Sequence, residues 1–286
     1  MGSLTVLNNI AGLEAQNSLS STQMSLNNTL HAMSTGQRIN TGADDAAGLA
    51  IANGLQANVT ALTQSVQNAT DGVGMLQVAD GALSQITTLL NRAVTLATES
   101  STGTVSDSQR GALQTEFASI QSEITNIGQN TTYNGQAIFG SSASLSVYMS
   151  DSSGAGTSTV TVSLGTVNDS NLGVTSGTTP TAISIASNDL STASDAQAAL
   201  SNINSAIAGI AALRGSLGAG SNQLTAATNV MNSQISNLTS AENNIMAADM
   251  GTETANLSQE SILQQTGIAA LQQSNQLQQS VLKLLQ

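Results

Sequence analysis

The sequence predicts a mainly α-helical protein: long antiparallel helical rods with a small β-hairpin and a short Ser/Thr-rich β or loop insertion. Three observations carry that expectation. Two heptad-spaced apolar rows lie far apart in a 286-residue chain, the stretch between them turns to Ser/Thr-rich alternation, and aromatic side chains are nearly absent. Aromatics make up 1 % of the residues, namely Phe117, Tyr133, Phe139 and Tyr148, with no Trp. Compact enzymes of this size bury large aromatic side chains. A hydrophobic 40 % drawn mainly from Ala, Leu, Ile and Val instead suits helices packed edge to edge.

The first rod reads from 46 to 99. Leu55, Leu62, Ala69, Leu76, Leu83, Leu90 and Ala97 form one row, and Val59, Val66, Val73, Asp80, Thr87 and Val94 its companion. This 4-3 spacing keeps one helix in register against another over many turns. The span from 55 to 97 would be about 63 Å long at the helical rise. The second rod carries Ile203, Ile210, Leu217, Leu224, Met231, Leu238 and Ile245. Its companion row, with Ile207 and Ile235, is interrupted by Arg214, Ser221, Thr228 and Glu242. The two rods are expected to pack antiparallel.

A third stripe, Leu113, Phe117, Ile120, Ile124 and Ile127, follows a turn marked by Gly103 and Asp107. Tyr133-Asn134-Gly135 supplies an Asn-Gly hairpin signal. From 141 to 181, 19 of 41 residues are Ser or Thr, and the alternation at 143–147 and 159–164 reads as short strands. Neither rod row uses this stretch, so it is expected to project outward and to tolerate deletion. The two ends carry amphipathic helices. Leu19, Leu26 and Leu30 mark one; Leu263, Leu271, Leu277 and Leu284 mark the other, in a Gln-rich segment with few charges. Both carry more apolar surface than one partner helix covers.

Seventeen acids against five bases give a net charge of −12, and Arg38, Arg92, Arg110, Arg214 and Lys283 are scattered singly. No cationic stripe exists to neutralise phosphates, which argues against nucleic acid as a partner. No apolar run reaches the roughly 18 residues of a membrane span, and the N-terminal residues lack the basic start of a cleaved signal. His31 is the single histidine and there is no Cys, so a Ser-His triad, a His-rich metal site and thiolate chemistry are all excluded. His31 reads as a polar-face helix residue. The glycines at 72, 74, 215, 218 and 220 match no phosphate-binding motif. Asp44-Asp45 reads as the start of a helix at Ala46 rather than a metal pair. No catalytic, cofactor-binding or metal site is expected, and the chain is not expected to be an enzyme.

Several of these stretches resemble a known family. The stretch 33–40, MSTGQRIN, followed by DDAAGLAIAN at 44–53, is similar to the N-terminal motif of bacterial flagellins. So are the hairpin at 133–135 after the third helix and Leu213-Arg214, Leu217-Gly218-Ala219 and Asn222 in the second rod. ILQQTG at 262–267, Asn275-Gln276 and the closing leucines resemble the family's C-terminus. The resemblance covers about 1–140 and 190–286, and departs from the family in being poor in bases.

The resemblance implies an inner helical layer from 1–45 with 250–286, a rod domain from 46–140 with 190–249, and a variable outer insertion at 141–189. It implies a subunit that polymerises head-to-tail with copies of itself into an extracellular filament for swimming, exported unfolded and added at the filament tip. An export chaperone, a filament cap and hook-junction proteins are the further partners it implies. Residues 90–99 are similar to the stretch that vertebrate toll-like receptors sense. Arg92, Leu96 and Glu99 would face such a receptor, with recognition weakened by the changes at Thr95 and Glu99. Two other readings stand beside it: a hook–filament junction protein, and a secreted coiled-coil adhesin or translocator.

Overall fold

The computed structural model describes residues 9–140, 144–150, 159–172 and 184–284, with side chains to 280. Five helices and two small antiparallel hairpins are found among them: α1 (Ile10–Thr35), α2 (Ala46–Ser100), α3 (Asp107–Asn130), β1 (Thr132–Tyr133), β2 (Gln136–Ala137), β3 (Ser144–Tyr148), β4 (Thr159–Ser163), α4 (Ala193–Met246) and α5 (Met250–Leu284). Local chemistry sets the ends. Asp45 Oδ1 accepts from the Gly48 amide at 2.8 Å, capping α2, while Asp44 accepts from the amides of Asn40 and Thr41 in the preceding turn. Ser106 and Gln109 form a capping box that starts α3. Asn134 and Gly135 both take positive φ, 49° and 76°, as the two-residue turn between β1 and β2 requires.

The chain forms two compact units, one from Met1–Ala57 with Asn237–Gln286 and one from Asn58–Ser236. In the second unit the α2 and α4 rows meet antiparallel. Gly72 faces Leu224, Asp80 pairs with Arg214, and Ser100 Oγ donates to the Leu190 carbonyl just before α4. Leu76, Leu83, Leu90, Ile203, Ile210, Leu217 and Leu224 are buried along this contact, and α3 adds Phe117, Ile120 and Ile124. Arg110 is buried beneath the turn between α2 and α3, where it donates to the Thr102 and Val105 carbonyls at 3.0 Å.

The region after β2 is less peripheral than its composition suggests. The β3–β4 register alternates strictly, so Leu145, Val147, Val160 and Val162 face inward while Ser144, Ser146, Thr159, Thr161 and Ser163 face solvent. The inner face sits on the rods at two glycines. A Cβ at Gly72 would stand 2.8 Å from Val147 Cγ2, and one at Gly220 would stand 2.5 Å from Val162 Cγ2. Further on, a Cβ at Gly128 would overlap the Val167 carbonyl oxygen. Leu164, Val167, Leu172, Ile185 and Leu190 are buried, and the segment 185–190, which turns at 186–187, is held to α3 by Gln121 and Gln114. The expectation that neither rod uses this stretch is therefore corrected. The rods carry glycine where the hairpin rests.

Asp80 and Arg214, which break the two companion rows, face each other in a two-bond pair of 2.7 and 3.1 Å. Rows of Leu and Ala alone would pack nearly as well after a seven-residue slip, so a polar pair at one level fixes the register. Both side chains are more than a third exposed, which limits the pair's coupling energy to about 0.2–1 kcal/mol. The Arg214 hydrogen bond holds the Asp80 carboxyl below its ordinary value. The coupling is therefore complete above the usual carboxylate range and is lost as pH falls through the lowered native value. Asp80→Arg and Arg214→Asp are each expected to lower stability, and the double exchange to recover most of the loss. A thermal-melt cycle checks this; a double variant as unstable as the sum of the singles would refute the pairing.

Candidate functional site

The first unit shows where this protein has unsatisfied surface. α1 and α5 run antiparallel, joined by a 2.7 Å bond from Gln264 Nε2 to Gln23 Oε1 and a 2.9 Å bond from Ser274 Oγ to Asn9 Oδ1. Asn9 also caps α1 by accepting from the Gly12 amide. Their apolar contact is thin. Gly12, Thr29 and Ala32 are the buried residues of α1, and between 250 and 280 α5 has no fully buried side chain. Among the described residues, ten of the thirteen exposed large hydrophobics belong to this unit, so the apolar excess is concentrated there rather than spread. Ile10, Leu13 and Met24 on α1, and Ile262, Leu263, Ile268 and Leu277 on α5, are 44–64 % exposed.

Grooves run along this pair. One is lined by Ala11, Ala15, Leu19, Leu263, Gly267 and Ala270, the next by Ser18, Ser21, Ser25, Asn256, Gln259 and Glu260. Small residues let another helix approach closely, and Glu260 Oε2 is buried there without a partner. In the same unit, residues 36–38 run antiparallel to 246–248. The Arg38 amide donates to the Met246 carbonyl, the Ala248 amide to the Gly36 carbonyl, and the Arg38 guanidinium to the Ile245 carbonyl at the end of α4. Asp249 caps α5 through the Gly251 and Thr252 amides, and these bonds, chiefly that from Gly251, lower its pKa. These bonds organise the helix ends. Among the described residues no His, Asp or Glu cluster could hold a metal ion, and no helix is long and apolar enough to cross a membrane.

The residues singled out by sequence fall into three environments. Leu62, Leu76, Leu83 and Leu90 of α2 and Ile203, Ile210, Leu217 and Leu224 of α4 are buried, whereas Leu55, Val59, Val66, Leu238 and Ile245 are half-buried. Leu19, Leu26 and Leu271 are half-buried, Leu30, Leu263 and Leu277 are exposed, and the Leu284 side chain lies outside the described residues. Arg92 is paired to Glu116 at 2.7 Å and Glu99 is exposed, but Leu96 is 0 % exposed, packed inside α2's own unit. Of that trio only Arg92 and Glu99 present surface. Sequence reading missed Gly72, Gly128 and Gly220 as contact points, and Arg110 as the support of the α2–α3 turn. For the three glycines, the available signal was glycine within a helical pattern, where it weakens the helix unless something packs against it.

Two family models match this chain: the bacterial flagellin N-terminal helical region over residues 6–144, and the bacterial flagellin C-terminal helical region over 200–285. The B-type flagellin of Pseudomonas aeruginosa is 44 % identical over 135 residues, 47 % of this chain and 28 % of that protein. A flagellin of Escherichia coli is 33 % identical over 184 residues, 64 % of this chain and 35 % of that protein. The matches thus span about a third of these relatives' length. A structure from Vibrio parahaemolyticus, described as a flagellar hook-associated protein, superposes with a TM-score of 0.56 over 71 % of this chain and all of that one. At 14 % identity, that likeness is one of fold alone.

Proposed function

Because this chain belongs to the bacterial flagellin family, we propose that it is the structural subunit of a flagellar filament, working by assembly rather than by turnover. The observation that carries the reading is the α1–α5 pair, which leaves its apolar stripe uncovered. Copies of the same chain supply the missing cover. A head-to-tail contact that does not close generates an open helical polymer rather than a ring. In this reading 1–45 with 250–286 form the inner helical layer, 46–140 with 190–249 the rod, and 141–189 the outer part. The chain is exported unfolded to the extracellular filament tip, helped by an export chaperone, a filament cap and hook-junction proteins. Arg92 and Glu99 are the positions an innate receptor would touch.

Concentrating the purified chain and imaging it by electron microscopy tests the reading. Long unbranched filaments are the expected result. Monomers at all concentrations, or closed rings, would refute it.

A further inference from the structure

The chain has no Cys, so its sulfur chemistry is confined to eight methionine thioethers. Their environments differ sharply. Met149 and Met231 are 6 % and 4 % exposed, and Met33, Met75 and Met246 are half-buried. Met24 is 60 % exposed on α1, and Met250 is 46 % exposed as the first residue of α5. Both lie in the unit that carries the uncovered apolar surface, and Met24 shares that surface with Ile10 and Leu13.

We infer that Met24 and Met250 are oxidation sites through which peroxide blocks self-association, an inference that rests on the filament reading. In the reaction the thioether sulfur attacks a peroxide oxygen and the O–O bond breaks. Sulfur gains the oxygen and loses two electrons, while hydrogen peroxide is reduced to water. The product is a polar sulfoxide on a surface that must enter an apolar contact. Burying that oxygen without a donor opposes association. In the assembled state the same thioethers are covered, so peroxide acts on free subunits and spares the polymer. A methionine sulfoxide reductase reverses the block, its thiols supplying two electrons and closing to a disulfide while the oxygen leaves as water.

Hydrogen peroxide is applied to monomer and to preformed filament, and oxygen uptake at each methionine is mapped by peptide mass spectrometry. Met24 and Met250 are expected to oxidise first in the monomer and to be protected in the filament. The oxidised monomer is expected to need about tenfold more protein to polymerise, a loss equivalent to one weakened apolar contact. A Met24→Leu/Met250→Leu chain should polymerise to the same extent before and after peroxide, whatever its own untreated level. Earlier oxidation of Met149 or Met231, equal oxidation in monomer and filament, unimpaired assembly of the oxidised chain, or continued sensitivity of the double-leucine chain would each overturn the inference. An untreated chain that fails to polymerise would instead overturn the filament reading, and this one with it.

Discussion

Removal of residues 250–286 is expected to abolish filament growth while leaving residues 58–236 folded. The core of that second unit, including Leu76, Leu83, Phe117 and Leu217, is drawn from its own segments. α5 contributes no fully buried side chain to the first unit between 250 and 280. A helix without a packed face is marginal in water. The pair it forms with α1 is small, and Ile262, Leu263, Ile268 and Leu277 remain open. Association with other copies is what would cover them. Hydrogen exchange should therefore be fast over α5 in dilute monomer and slow in the polymer, since few buried contacts mean a low cost of local opening. Strong protection in the dilute monomer, or normal growth of the truncated chain, would refute this coupling of helix stability to assembly.

Replacing residues 144–172 by a short flexible linker is expected to cost the second unit more than about 5 kcal/mol, since each buried Val or Leu contributes roughly 1.5–3 kcal/mol and whole domains hold only about 5–15. Val147, Val160, Val162, Leu164, Val167 and Leu172 would leave the core together. The rods could not close over the gap. Their surfaces at Gly72 and Gly220 lack the side chains that would fill it, and Gly128 is shaped to the Val167 backbone. Chemical denaturation of the second unit, monitored by circular dichroism, measures the effect. A linker variant as stable as the parent would show that the hairpin is only an appendage.

The helices were legible because helix periodicity is a property of neighbouring residues. Leu62 to Leu90 and Ile203 to Leu224 repeat at a spacing that buries one side of each helix, whatever the partner. The turn at Asn134-Gly135 and the cap at Asp45 were legible for the same reason: each is set by backbone chemistry within a few residues. The alternation at 143–147 and 159–164 likewise marked β3 and β4, though not what they rest upon.

Residue order alone was enough to read a set of long helices with two short strands between them, and its motifs pointed to a family. Which residues meet across the chain came from the fold. Asp80 and Arg214 look like two separate flaws in two apolar rows until they are 2.7 Å apart. Gly72 and Gly220 look like weak points in helices until Val147 and Val162 occupy the space above them. Leu263 and Leu277 read as part of a stripe too wide for one partner helix, and beside α1 they stay 47 % and 57 % exposed. The reason is the same in each case. Periodicity says that a side chain needs cover; which atoms supply it, or fail to, is fixed by contacts between residues tens to hundreds of positions apart.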